Sequence, residues 1–169
     1  MVVALINMIL VMQNLVNTTI KKGASQHMKI IPITKFKRER GIEEITDVTF
    51  LDTESCNLIV EASNNDIDTI KNWFNIIGIE YTDISLVGND ITYYINDKAL
   101  KLSSLSSGEA YILYLLACKA ENKKICAFSV LEIMGSRLQN IVYEQFKDYK
   151  ELTIVTFNAI VPRKWEVER

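Results

Sequence analysis

The most constraining feature of this sequence is a long apolar stretch in its C-terminal half. Nearly every position from residue 110 to residue 120 is apolar, so a helix there has no continuous polar face. After a few polar residues, positions 125–131 form a second apolar run, which only Ser129 interrupts. A helix that is apolar all round is buried, and a continuously apolar strand is typical of a sheet covered on both faces. The sequence therefore predicts a buried helix, over residues 107–122, that leads into a buried central strand.

Further helix and strand patterns extend this arrangement. Residues 137–149 are predicted to form an amphipathic helix, and residues 152–157, which are apolar apart from two threonines, a second buried strand. Residues 57–60 are interpreted as a short buried strand, followed by a helix from Ile67 that ends at Gly78. Strands that alternate with helices favour a mainly parallel sheet. We therefore predict an α/β fold.

The remaining strands are predicted to be short and antiparallel. Residues 79–87 and 91–95 flank Gly88-Asn89-Asp90, a typical hairpin turn, and residues 98–102 add a further strand. Residues 29–36 and 45–51 are interpreted as another hairpin, whose charged turn contains Lys35, Lys37, Arg38 and Arg40. A last short strand is predicted over residues 161–167. These elements give the parallel sheet an antiparallel addition.

Composition bounds the domain organisation and the chemistry. A chain of 169 residues, 49% apolar and 24% charged, is long enough for one domain with a proper core. The net charge of −2 gives no strongly basic field, so nucleic-acid binding is left open rather than indicated. One histidine and three widely spaced cysteines argue against a zinc site and a Ser-His-Asp triad. An odd cysteine count predicts reduced thiols and a cytoplasmic protein.

The first 27 residues are predicted to be an appendage, with the compact domain over residues 28–169. Residues 2–21 are strongly apolar but are interrupted by Asn7, Gln13, Asn14, Asn17 and Thr18. No basic region precedes them, and the uninterrupted part is shorter than the ~20 residues of a membrane span. We interpret this segment as an N-terminal helix that packs on the domain or on a partner, and we expect no membrane insertion.

The segment Leu105-Ser106-Ser107-Gly108-Glu109, which precedes the apolar helix, resembles the signature segment of ABC-type ATPases of the SMC/RecF-like branch. In that family the serine hydroxyl, the glycine backbone and the helix end face the γ-phosphate held by the opposite subunit. The resemblance therefore makes Ser106, Ser107, Gly108 and Glu109 candidates for contacting a nucleotide or a partner. The alternative is that Ser106 to Glu109 only form a loop and a helix N-cap.

Other positions resemble the family's motifs in order and spacing, but not in chemistry. Glu132 stands where the family has a catalytic glutamate, but Leu131 replaces the magnesium-binding aspartate and Phe157 replaces the γ-phosphate-sensing histidine. The segment aligned with the phosphate loop lacks its glycines and its lysine; its core is Asn64, Asn65, Asp66, Ile67 and Asp68. Carboxylates there would repel a polyanion by about 1 kcal/mol each at ~4 Å in water. Glu132 is thus a catalytic candidate for which a structural role is favoured.

The resemblance implies a reduced ABC-ATPase-like head with a mainly parallel central sheet, an extra antiparallel hairpin and an N-terminal helix. It implies a catalytically degenerate head, a pseudo-ATPase, that acts as a binding or regulatory protein in DNA repair or phage–host conflict. We expect no cofactor or metal, with Mg-ATP only in a composite site. Two alternatives stay open: a subunit that completes a partner ATPase's nucleotide site, and a self-associating structural protein. The expected partner is a second copy or an ATPase-type protein.

Overall fold

The structure is a computed structural model that describes residues 27–35, 44–46, 51–157 and Trp165. The predicted N-terminal helix, most of the basic turn and most of the predicted last strand lie outside these residues. The elements, in chain order, are β1 (Lys29–Pro32), a 3-10 turn (Ile33–Lys35), β2 (Glu44–Thr46), α1 (Thr53–Ala62), α2 (Ile67–Ile77), β3 (Asp83–Val87), β4 (Asp90–Ile95), β5 (Lys98–Lys101), a 3-10 turn (Leu102–Ser104), α3 (Ser107–Ala120), β6 (Ile125–Phe128), α4 (Val130–Ile133), α5 (Ser136–Phe146) and β7 (Leu152–Thr156).

The central sheet is parallel, which confirms the predicted α/β fold class. Its strand order is β1-β7-β6-β2. Ile30 pairs with Ile154 in the parallel ladder between β1 and β7, and β2 pairs with β6 in the same direction. The predicted hairpin between residues 29–36 and 45–51 is therefore wrong. Its two strands lie at opposite edges of the sheet, because each pairs with a strand from the C-terminal part of the chain.

Helix α3 is the central element of the core, as its composition predicts. Its residues from Ala110 to Cys118 are all buried. The apolar side chains of Ile125 and Leu152, from the two middle strands of the sheet, belong to the same buried cluster as α3. A helix surrounded in this way needs apolar residues on every face, which explains why the sequence lacks a polar stripe here.

The antiparallel sheet has three strands, in the order β3-β4-β5, as the residues around Gly88 predict. Ile84 pairs with Tyr93 and Leu86 with Ile91 on one face, which carries the buried residues of this sheet. Phe74 of α2 is fully buried, and its ring meets the edges of the Tyr81 and Tyr93 rings at centroid distances of 5.8 and 5.5 Å. Phe74 therefore joins α2 to the antiparallel sheet.

Helix α2 begins at an aspartate cap. The Asp66 carboxylate accepts hydrogen bonds from the Asp68 and Thr69 backbone N–H groups at 3.2 and 3.0 Å, and from the Thr69 hydroxyl at 2.7 Å. Asp66 is thus the N-cap residue of α2. The Thr69 hydroxyl, followed by the two N–H groups, lowers the pKa of Asp66 below its usual value of 3.8.

This cap predicts an acid-sensitive contribution to stability. Because the folded-state pKa of Asp66 is below the unfolded value, the stabilisation is present above 3.8 and is lost as the pH falls through the folded-state pKa. We expect Asp66→Ala to lower the urea midpoint at neutral pH, and this difference to shrink in strong acid. Equilibrium unfolding at both pH values checks it; a difference independent of pH would contradict an ionised cap. Asp66→Asn is the matched control, since asparagine caps helices about as well.

Candidate functional site

The signature-like segment, residues 105–109, forms a capping box at the start of α3. The Ser106 hydroxyl accepts a hydrogen bond from the Glu109 backbone N–H at 3.3 Å, and Glu109 Oε2 accepts from the Ser106 N–H at 3.0 Å. Ser106 is thus the N-cap residue of α3, whose first residue is Ser107. Reciprocal bonds of this kind satisfy two donors at a helix start. The N-cap alternative accounts for Ser106 and Glu109.

Arg137 connects the start of α3 to the end of α2. Its Nη1 donates to the Ile77 carbonyl at 2.6 Å, and its Nη2 lies 3.6 Å from Glu109 Oε1. A cation at the last carbonyls of α2 and an anion in the first turn of α3 both suit the helix dipoles. Nothing in the sequence marks Arg137 for this role, because its partners are 28 and 60 positions away and one of them is a backbone carbonyl.

Gly108 is explained by close packing between α3 and α5. A Cβ added to Gly108 would lie 2.6 Å from Leu138 Cδ1 and 3.4 Å from Met134 Cγ. Only glycine lets the two helices approach this closely without a shift. The residue that the resemblance assigns to phosphate contact therefore has a packing role in this chain.

Gly108→Val is expected to destabilise the protein by about 1–2 kcal/mol, near the low end for over-packed sites, because Leu138 Cδ1 is the end of a half-buried side chain that can partly give way. Chemical denaturation measures the loss. Ser107→Val, at the exposed neighbouring position, is the control and should change stability much less. Adding Leu138→Ala should cost less in the Gly108→Val background than in the wild type. Purely additive costs would exclude the steric explanation.

Ser107 differs from its neighbours in the signature-like segment. It is exposed in the first turn of α3, and no hydrogen bond within the described part of the chain engages its hydroxyl. Ser106, in contrast, is used in the capping box, and Leu138 occupies the space beside Gly108 where a side chain would lie. Ser107 is therefore the position in the segment whose side chain is available to a partner.

The segment aligned with the phosphate loop is a turn between two helices. Residues 57–60, predicted as a strand, lie within α1, so the prediction of a strand–loop–helix here is wrong. The missed signal was Asp52, whose carboxylate caps α1 by accepting from the Ser55 N–H at 2.8 Å. From this cap, Ser55, Ile59 and Ala62 follow at helical spacing and are buried.

Each residue of this turn serves the helix junction. Asn64 and Asn65 have φ values of 56° and 57°, a left-handed conformation that asparagine tolerates better than most residues. Asp66 caps α2, Ile67 is its first residue, and Asp68 lies in its first turn, where an acid suits the helix dipole. Lys71, one turn into α2, pairs with Asp83 at 3.6 Å. Turn and cap chemistry accounts for all five residues without a phosphate.

Glu132 joins the carboxyl ends of the two middle strands. Strand β6 ends at Phe128, earlier than predicted, and Glu132 lies one turn later in α4. Its Oε1 accepts from the Thr156 hydroxyl and from the Phe157 backbone N–H, both at 2.8 Å. Glu132 therefore has the structural role that was favoured for it, with a hydroxyl and a backbone N–H as donors.

Two positions near Glu132 carry apolar side chains where the family has polar ones. Leu131, at the position of the family's metal-binding aspartate, is buried. The Phe157 side chain is 56% exposed, and its ring centroid lies 6.4 Å from that of Phe128. Within the part of the chain that the structure describes, no group of three or more His, Cys, Asp or Glu residues could hold a metal ion. This edge of the sheet presents aromatic surface where the family presents polar ligands.

Comparisons with known proteins add no information about the role of these residues. A scan with protein-family models and a search of curated proteins both found no match to the sequence. Among residues 27–35, 44–46 and 51–157, no helix is both long enough and apolar enough to span a membrane.

Proposed function

We propose that this chain is a non-hydrolysing binding or regulatory protein with an ABC/SMC-like head architecture, a pseudo-ATPase acting in DNA repair or phage–host conflict. None of its three cysteines, all within the described residues, forms a disulfide, which suits the reducing cytoplasm where we place it. It acts on a protein partner, either a second copy or an intact ATPase. Hydrolysis requires a carboxylate directed toward an attacking water. The main support for the proposal is that Glu132 is held in a different arrangement.

The supporting observation is how Glu132 is held. Its Oε1 accepts from both the Thr156 hydroxyl and the Phe157 N–H, so this oxygen is committed to joining two strand ends. The neighbouring Leu131 offers no metal ligand, and the turn formed by residues 64–68 follows a helix rather than a strand. These features favour a glutamate that supports the sheet edge over one that activates water.

The proposal predicts that the pure chain neither binds Mg-ATP tightly nor hydrolyses it. Calorimetric titration with Mg-ATP should give no saturable heat at micromolar concentrations, and a phosphate-release assay should match the buffer blank. The physical reason is the lack of a metal ligand at Leu131 and the commitment of the Glu132 oxygen to backbone and hydroxyl donors. Micromolar binding with turnover that Glu132→Gln abolishes would overturn the proposal.

A second candidate function is favoured by the exposure of Ser107. In a composite ATPase, this chain would lend the start of α3 to a nucleotide held by a partner with a complete phosphate loop. Ser107→Arg tests this candidate well, because Ser107 is exposed and its hydroxyl makes no described hydrogen bond. It should abolish the ATPase activity of a co-purifying partner without changing this chain's unfolding midpoint. Gly108→Asp is a poorer test, since the crowding at Leu138 would also destabilise the fold.

A further inference from the structure

A cleft of about 490 Å³ lies between the first turns of α1 and the β3–β4 hairpin. It shares no residue with the signature-like segment or with the Glu132 contacts. Leu51, Ile91 and Leu102 are buried apolar residues in its lining, and Val87 at the hairpin is 76% exposed. The lining also includes the polar residues Thr53, Asn57, Asn89 and Ser103. A cleft of this size that combines apolar side chains with polar groups is able to hold a small molecule.

The cleft is built across two parts of the fold. The Asn89 amide donates to the Asn57 side-chain carbonyl at 3.0 Å, which ties the β3–β4 turn to α1. Gly88 precedes Asn89 with a φ of 59° and has nothing within 4 Å of an added Cβ, so this turn is open on that side. A specific hydrogen bond thus connects the two parts of the fold that line the cleft.

Carboxylates outnumber cations among the charged groups of the cleft. Its charged lining residues are two carboxylates, Asp52 and Asp90, and one ammonium, Lys101. Lys101 is already engaged, since it contacts Asp90 and the Thr92 hydroxyl. Asp52 uses part of its acceptor capacity to cap α1, and a carboxylate has about four lone-pair sites.

The pKa of the Cys56 thiol reflects the negative charge near the cleft. Burial raises its pKa, and the charges of Asp52 and Asp90 raise it further. Both carboxylates are therefore close enough to disfavour a thiolate beside them. The thiol itself is a neutral, half-buried lining group and not a nucleophile for this site.

The geometry points to a binding cleft for a small organic cation, an ammonium or guanidinium on a short apolar arm. The arm would lie against Leu51, Ile91 and Leu102, and the cationic head would donate hydrogen bonds toward Asp52. An anion would meet carboxylates with the nearby ammonium already paired. This inference is independent of the proposed function, because it concerns other residues and requires no nucleotide.

Protection of Cys56 from alkylation tests the inference on the full chain. Cys118 and Cys126 are buried and serve as internal controls, so labelling by N-ethylmaleimide at mildly alkaline pH, mapped by mass spectrometry, follows Cys56. n-Butylammonium should slow labelling in a saturable manner, while butyrate and 1-butanol should not. Equal protection by 1-butanol, or saturable protection by butyrate, or no protection by any of the three, would overturn the inference.

Charge variants make the test specific. Asp52→Asn keeps a good helix cap but removes one carboxylate, and it should weaken protection by n-butylammonium by roughly fivefold, the effect of about one unit charge at contact distance in water. Asp90→Asn should weaken it as well, because it also releases the Lys101 ammonium. Glu121→Gln, an exposed substitution outside the cleft, is the matched control and should leave protection unchanged. Undiminished protection in Asp52→Asn, with an unchanged unfolding midpoint, would exclude the cation site.

Discussion

Phe74→Ala is expected to destabilise the protein by about 3–5 kcal/mol, the range for removing a fully buried phenylalanine. Phe74 is 0% exposed, and its ring contacts the edges of the Tyr81 and Tyr93 rings. Truncation would leave a cavity between α2 and the antiparallel sheet and would remove both ring–ring contacts. Urea or guanidinium unfolding, followed by circular dichroism, measures the change. Part of the loss should come from the antiparallel sheet, whose Tyr93 loses a packing partner.

Phe157→Ala is the matched control for this prediction. It removes the same side chain from a position that is 56% exposed, and its ring makes one tilted contact with Phe128. We expect a much smaller loss of stability, well under that of Phe74→Ala. Equal losses at the two positions would mean that Phe157 is covered in solution. That result would contradict the exposed aromatic edge described above.

Glu132→Ala is expected to destabilise the protein by about 2–3 kcal/mol, because it removes the acceptor of two hydrogen bonds to an ionisable group. The affected donors are the Thr156 hydroxyl, in a buried residue, and the Phe157 N–H. Glu132→Gln keeps a carbonyl oxygen and should recover most of the loss. The two variants are compared by chemical denaturation under identical conditions.

Thr156→Val separates the two bonds that Glu132 accepts. It removes the hydroxyl donor but leaves the Phe157 N–H, so its cost should be smaller than that of Glu132→Ala. In a double-mutant cycle the two changes should not be additive, since they share one hydrogen bond. If Glu132→Gln were as damaging as Glu132→Ala, the negative charge rather than the acceptor would be the important property.

The fold was most predictable where a long sequence pattern fitted only one kind of structure. The apolar stretch of α3 can only be buried, and Gly78 ends α2 as expected, with a φ of 79°. Short apolar runs were ambiguous: residues 57–60 fit a strand or a helix equally well over four positions. The structure decides for α1, because the cap at Asp52 lies five residues upstream of that window.

Strand pairing was the other limit of sequence-based prediction. β1 and β2 are close in the chain, and proximity favoured a hairpin between them. Their real partners, β7 and β6, lie on the order of 120 and 80 residues further along. For the candidate site, an N-cap within Ser106 to Glu109 was predicted as one alternative. The roles of Arg137, Leu138 and Thr156 depend on contacts between distant segments.

The pairing of β1 with β7 also determines when this part of the central sheet can form during synthesis. While the chain is being synthesised, β1 emerges early but has no partner strand until the residues around Ile154 have left the ribosome. Non-local parallel pairing is slow to form, and unpaired strand edges favour aggregation. The β1–β7 ladder is therefore completed only after β7 has been synthesised, and loss of β7 would leave β1 without this ladder.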